Sequence, residues 1–393
     1  VMDIELSDGQ RDAQKGFRAF AQAEIAPFAD QYDRDEAMPR ELIDKMAAAG
    51  YLGAVVPAEF GGRDMGAIEF GLLCEEIGRG SASVLSLLTV HGMVCQSIAR
   101  WGSDEQQRQW LPRLASGETV AAFGLTEPNV GSDASSVETV ATEGEDGFVL
   151  NGHKQWISCG QLADLYLIIG QCNGKPSAFL VEKDSPGFSR EPITGLLGFR
   201  SAMLAKLHMH DCRIPAGNLV GRVGFGFSHV AGTALDHGRY CVGWGCLGLA
   251  EACMEAALEY AGQRRQFDAP LKNHQLIQQM LAEMITQTKA TRLLCYHSGF
   301  LKERGDPALI METSITKYFA SRSVAKIADD TVQIHGANGC GPDFPVQRYL
   351  RDAKIMEIIE GSTQIQQIII AKSGLMEHAL EKRRERKRRA AEN

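Results

Sequence analysis

A carboxylate late in the chain has the surroundings that proton chemistry requires. In Arg351-Asp352-Ala353-Lys354-Ile355-Met356-Glu357-Ile358-Ile359-Glu360-Gly361-Ser362-Thr363-Gln364-Ile365-Gln366, Glu360 closes an apolar run and precedes a glycine. Withdrawal from water disfavours the charged carboxylate, raises its pKa and strengthens it as a base. The glycine lets a substrate come close to the backbone. On the residues alone Glu357, one helical turn earlier, is a rival. A second segment, Gly124-Leu125-Thr126-Glu127-Pro128-Asn129-Val130-Gly131-Ser132-Asp133, is rich in hydroxyls and glycine, and its N–H groups can turn toward a polar heterocycle or phosphate. Thr-Glu-Pro-Asn is also an ordinary turn. The third segment is Lys154-Gln155-Trp156-Ile157-Ser158. Its indole can lie along an aromatic ring system while the hydroxyl bonds that ring's polar edge, although a core Trp reads equally well.

Other chemistries fail on spacing. Gly221-x-x-Gly224-x-Gly226 precedes no strand–helix unit of the dinucleotide-binding type, Gly170…Gly174-Lys175 lacks phosphate-loop spacing, and there is no Gly-x-Ser-x-Gly elbow. His208-x-His210 can ligate a metal, but with no third ligand nearby two solvated histidines are expected and no metal site is assigned. The ten cysteines include no Cys-x-x-Cys pair and sit mostly in apolar segments. They are expected to be reduced and buried in a cytoplasmic protein.

The elements that must carry these segments change type twice. Up to about residue 118 the periodicity is helical. Phe17, Phe20, Ala21 and Ile25 fall at helical spacing, Pro39 opens a helix through Leu42, Met46 and Ala49, and Ser103 reads as an N-cap. Short strands follow: 119–125, 148–150 after an Asp146-Gly147 turn, 165–169, 178–181 and 206–210. Long helices return from about 230, with Gln275 to Leu301 and Thr313 to Ile334 carrying apolar stripes. The expected parts are 1–118 helical, 119–229 β, 230–380 helical and 381–393 a basic tail.

The chain has 393 residues and a net charge of −8, but its last thirteen residues hold seven Lys/Arg against three Glu. Removing that +4 leaves the body near −12, which disfavours nucleic acid as a partner, although the tail mildly permits it. A solvated terminal helix that frays is the expected reading of the tail. No apolar run approaches the roughly 20 residues of a membrane span, and the opening Val1-Met2-Asp3-Ile4-Glu5 has no secretory character.

In this order and spacing the three segments resemble the acyl-CoA dehydrogenase family, over about residues 5 to 375. The resemblance implies an α+β chain: an N-terminal all-α domain, a middle β-sandwich or barrel domain and a C-terminal four-helix bundle, with FAD between them, in a homotetramer or dimer. It implies that Glu360 removes the α-proton of an acyl thioester while a hydride leaves the β-carbon for flavin N5. Phe123, Leu125, Thr126 and Ser132 match the flavin-contacting loop, and Trp156, Ile157 and Ser158 the flanking strand. Arg264, Phe267 and Gln275 resemble residues holding the FAD of a neighbouring subunit. Gln333 and Gly336 match an adenosine-diphosphate loop, and Ser362 and Gln364 the turn after the base. Ser132, Asp236, Arg239 and Gly361 fall where the pantetheine portion runs. One branch of the family keeps its base at the equivalent of Gly238; a glycine there favours Glu360.

The sequence departs from the family pattern at Val130, Ala337, Cys340, Ile359 and Arg200-Ser201-Ala202-Met203. The stretches 238–248 and 356–362 look closest to dehydrogenases of polyketide extender-unit pathways, which act on short hydroxylated acyl groups tethered to a carrier protein. The substrate implied is thus an acyl-CoA or an acyl carrier protein, and oxidation of a carrier-bound hydroxyacyl group is an alternative. A DNA-binding flavoprotein of the same fold is an alternative of another class. The acceptor implied is an electron-transferring flavoprotein, or oxygen as in some members.

Overall fold

A computed structural model describes residues 5–391; Val1–Ile4, and with them the reading of the opening segment, lie outside the described residues. The side chains of Arg386 and Arg389 in the basic tail are likewise outside it.

Six helices come first: α1 (Asp8–Phe20), α2 (Ala29–Asp35), α3 (Arg40–Ala48), α4 (Ala67–Gly80), α5 (Ala82–Trp101) and α6 (Asp104–Ala115). Ser103 caps α6 through a reciprocal box with Gln106, satisfying donors that a helix start leaves orphaned. The stripe of Phe17 to Ile25 is not one helix, because a π-turn over Ala21–Ile25 follows α1 and Pro27 enters the short turn after it.

The strands are β1 (Ala121–Gly124), β2 (Val140–Gly144), β3 (Gly147–Ile157), β4 (Leu165–Cys172), β5 (Lys175–Glu182), β6 (Phe188–Pro192), β7 (Ala205–Pro215) and β8 (Leu219–Val220). They form one eight-stranded sheet in the order β6-β7-β3-β2-β4-β5-β8, with β1 parallel to β4. The sheet encloses a core of its own. Phe148, Leu150, Tyr166, Ile168, Phe179, Val181, Leu207 and Met209 pack together, with Phe148 and Phe179 at 5.1 Å. Alternate residues of β4, Leu165, Leu167 and Ile169, point the other way, into the helical core. β4 is therefore buried on both faces and reads as a continuous apolar run.

The chain continues with α7 (Gly232–Gln263), a small hairpin of β9 (Arg265–Gln266) and β10 (Ala269–Pro270), then α8 (Gln275–Glu303), α9 (Leu309–His335), α10 (Val346–Met356) and α11 (Thr363–Ala391). α7 packs on α4, α5, α8 and α9 and ties the helical parts together. It approaches α4 so closely that a Cβ at Gly248 would overlap the Glu75 carbonyl.

The expectation about membrane spans is corrected in one respect. Ala82–Trp101 and Gly226–Gln263 are long and apolar enough to cross a membrane, and their apolar windows are 89% and 72% buried inside the protein. Interspersed Ser, Thr, Cys and Gly hide these core helices from a search for unbroken apolar runs. The cysteines are all free, nine of them buried and Cys340 exposed.

Candidate active site

Glu360 lies in the short connection between α10 and α11, on backbone with φ 54°, followed by Gly361 at φ 88°. Its Oε2 is enclosed and has no hydrogen-bond partner. Burial pushes the carboxyl up to about 7, against the pull of the Arg239 guanidinium, with Cys241 opposing and Lys317 assisting that pull. A carboxylate of that kind, free of partners and near neutral affinity for a proton, suits a general base. Glu357 instead accepts from Lys354 Nζ at 2.9 Å and is occupied. A Cβ at position 238 of α7 would overlap the Glu360 carboxylate, so Gly238 is the space the side chain fills.

Glu360 opens onto a cavity of about 800 Å³. Its walls bring together residues far apart in sequence: Phe123, Leu125, Thr126 and Ser132 from β1 and the loop after it, Trp156, Ile157 and Ser158 from the end of β3, Arg239 from α7, and Gly361 and Ser362 beside Glu360. Thr89 and Met93 of α5 and Val242 of α7 add to the lining. Trp156 is 50% exposed and sits at φ 62°, where the β3–β7 register slips between Lys154 and Ile157. The irregularity turns the indole out of the sheet core to the cavity wall.

What fixes the loop after β1 is a buried ion pair that the motifs contain but whose role their residue types did not reveal. Lys154 Nζ donates to Glu127 Oε1 at 2.7 Å and to the Leu125 carbonyl at 3.0 Å, with both side chains withdrawn from water. Glu127 Oε1 also accepts from Thr139 N–H at 2.9 Å and Thr139 Oγ1 at 2.6 Å, and its Oε2 from Glu138 N–H. The Gln155 N–H donates to the Thr126 carbonyl at 2.9 Å.

Other expected residues lie elsewhere on the single chain. Asp236 does not line the cavity but accepts from Arg239 Nη1 at 3.0 Å, leaving Arg239 Nε enclosed and unpartnered. Arg264 follows α7, Phe267 projects from the β9–β10 hairpin at 92% exposure, and Gln275 begins α8. Gln333 and Gly336 are at the end of α9, and Gln364 is exposed in the first turn of α11. Lys317 of α9 and Gln366 of α11, which sequence reasoning passed over, both donate to carbonyls of the Glu360 turn. On the outer sheet face His153 of β3 pairs with His208 and approaches His210, the third histidine that sequence distance had hidden. Among the described residues no group converges as a metal site would require.

The cavity fits an isoalloxazine. An exposed indole and Phe123 offer apolar faces, Thr126, Ser132 and Ser158 offer hydroxyls, and an unpartnered carboxylate oxygen waits at one wall.

Comparisons with known proteins match nearly the whole chain. Residues 7–118 match the family model described as acyl-CoA dehydrogenase, N-terminal domain, residues 122–212 the middle domain and residues 224–375 the C-terminal domain. The chain is 40% identical over 375 residues to an acyl-CoA dehydrogenase of Bacillus subtilis, covering 94% of this chain and 98% of that one. The structure of butyryl-CoA dehydrogenase from Megasphaera elsdenii superposes with a TM-score of 0.91 at 34% identity, covering 95% of this chain and 100% of that one. FkbI, described as acting in biosynthesis of the methoxymalonyl extender unit of the polyketide FK520, superposes with a TM-score of 0.86 at 31% identity, covering 91% and 99%.

Proposed function

Since the chain belongs to the acyl-CoA dehydrogenase family, and is thus an FAD-dependent dehydrogenase of acyl thioesters, we propose that Glu360 is its base and that the cavity beside it is where α-proton and β-hydride leave the substrate. The carrying observation is the enclosed, unpartnered Oε2 of Glu360 on the wall of a cavity whose other walls suit a flavin.

FAD, when bound, supplies the acceptor for the hydride. The chain's own residues do the rest. Glu360 takes the α-proton, a placed base being worth about 10²–10⁴ in rate. Among the described residues the Glu360 N–H donates no backbone hydrogen bond, so it is free to meet the thioester oxygen. Such a fixed donor stabilises a developing enolate by about 3 kcal/mol. Arg239, held by Asp236, keeps a positive charge near the carboxylate. Phe123, Leu125, Thr126, Ser132, Trp156, Ile157, Ser158 and Ser362 serve the flavin from the cavity wall, with Gln364 beyond that wall in the first turn of α11, and Ser132, Arg239 and Gly361 serve the pantetheine, with Asp236 acting through Arg239. Arg264, Phe267 and Gln275 lie off this cavity and would serve the FAD of a neighbouring subunit in a homotetramer or dimer, while Gln333 and Gly336 would meet the adenosine diphosphate of FAD.

The substrate is an acyl-CoA, with an electron-transferring flavoprotein as acceptor. A second reading, oxidation of a short hydroxyacyl group on a carrier protein, is favoured by the likeness to FkbI and by the basic end of α11, which a negatively charged carrier would complement. Buried free thiols favour the cytoplasm. Anaerobic mixing with a panel of acyl-CoAs and acyl carrier proteins, followed by flavin bleaching, tests both. Glu360→Gln is expected to slow bleaching at least 100-fold; reduction at the wild-type rate refutes the base.

A further inference from the structure

A glutamate at φ 54° occupies backbone that is costly for an L-residue and persists only where the surroundings over-determine it. Two buried side chains converge on it. Lys317 Nζ donates to the Gly361 carbonyl at 2.8 Å and to the Glu357 carbonyl at 3.4 Å. Gln366 Nε2 donates to the carbonyls of Glu360 and Gly361, both at 3.0 Å. Lys317 is wholly buried, and among the described residues it forms no ion pair. An ammonium buried without a direct ion pair is an expensive core residue, so packing alone does not account for it. The charged and titratable groups facing it are Cys246 and Arg239 from α7, with Glu357 and Glu360 from the α10–α11 connection. Those facing Glu360 are Arg239 and Cys241 from α7 and Lys317 from α9.

We propose that Lys317 is a positioning residue for the proton-abstracting carboxylate: with Gln366 it grips the carbonyls of the Glu360–Gly361 turn, keeps Glu360 in its left-handed conformation toward the cavity, and favours the charged carboxylate through its own charge. The proposal rests on Glu360 being the base. It explains why a cation is kept where a methionine would pack, and why the Gly361 carbonyl, next to the reactive side chain, is held by both Lys317 and Gln366.

The test uses the FAD-loaded enzyme and a 3-thiaacyl thioester, which can lose its α-proton but offers no β-hydride. The enolate so formed over oxidised flavin gives a long-wavelength band, and the pH at which the band is half developed reports how well Glu360 competes for the proton. In Lys317→Met this half-point rises, because a cation that helps to hold the carboxylate charged is lost. Single-turnover reduction of a true substrate falls about 10–100-fold with KM little changed, because the base is misplaced and the binding surface is not. Lys317→Gln, which keeps a donor without charge, recovers part of the rate and none of the half-point. A Lys317→Met enzyme with wild-type half-point and rate overturns the proposal. If Lys317→Met does not accumulate loaded with flavin, Gln366→Leu decides: the rate must fall with the half-point unmoved, and an unchanged rate overturns the proposal. Glu360→Gln separates the two readings. If it abolishes the band while Lys317→Met matches wild type, only the positioning role falls; if it still forms the band, the base assignment and this proposal fall together.

Discussion

Gly238 and Glu360 illustrate how one atom decides what a residue can do. A methyl group at 238 meets the far end of a flexible side chain, so Gly238→Ala displaces the carboxylate without unpacking α7. Alanine also improves the helix interior by about 0.5–1 kcal/mol. We expect Gly238→Ala to unfold no earlier in urea than wild type while flavin reduction slows about 10–100-fold. Stability and activity should likewise part at Glu360. Its folded pKa of about 7 lies above the ordinary 4.5, so the native state favours the protonated form. The contribution of this group to stability is therefore full below pH 4.5 and is lost as pH rises to 7. At pH 8 Glu360→Gln should exceed wild type by up to about 3 kcal/mol in urea unfolding, and the gap should close at pH 4. The sequence offered Glu360 as a candidate because an acid after an apolar run and before glycine can be withdrawn from water, but Glu357 rivalled it until the family resemblance chose between them. Lys317 and Gln366 were not legible, since a lysine inside a helical stripe gives no sign that it points inward at a turn formed by residues 357–361.

Among the elements, β3 carries both the support of the loop after β1 and a wall of the cavity on a slipped register. Its Lys154 holds the loop after β1 through Glu127, while Trp156 turns out beyond it. Breaking a buried pair by removing one partner costs about 3–5 kcal/mol, whereas removing both is often neutral. Lys154→Met should lose that amount in urea unfolding and retain FAD poorly, and Glu127→Leu/Lys154→Met should recover most of the stability. Burial lowers Lys154 to about 8, with Glu127 opposing the drop, which agrees with a pair held deep in the fold. The strong apolar runs of β4 and β5 were readable from residue type, as was the capped start of α6. β6, Phe188–Pro192, was not, because four of its five residues are exposed and charged or polar types alternate without an apolar face. Nor was the bend after α1, where apolar spacing stays helical although the hydrogen bonding does not.

At the scale of the molecule, the clearest unpartnered feature is the β9–β10 hairpin with Phe267 at its tip, φ 49° and almost fully in water. If it reaches a second copy, Phe267→Ala leaves the chain's own stability within about 0.5 kcal/mol. Sedimentation should then show smaller assemblies, and FAD should dissociate faster. The three-part division into helices, sheet and helices could be read from the change of period alone, whereas the seam along α7 could not, since its small residues look featureless until a partner helix lies on them. The basic end of α11 makes its own prediction. Removing 381–393 should leave reduction by acyl-CoA unchanged and weaken only a salt-sensitive association with an acidic carrier.

The distribution of thiols gives the molecule a built-in gauge of its own opening. With nine sulfhydryls sealed and Cys340 in water, a colorimetric disulfide reagent should consume one equivalent per chain from the native protein. Each further equivalent then marks a part of the interior that has come apart, and the sequence of those events would order the breathing of sheet and helices without any attached dye.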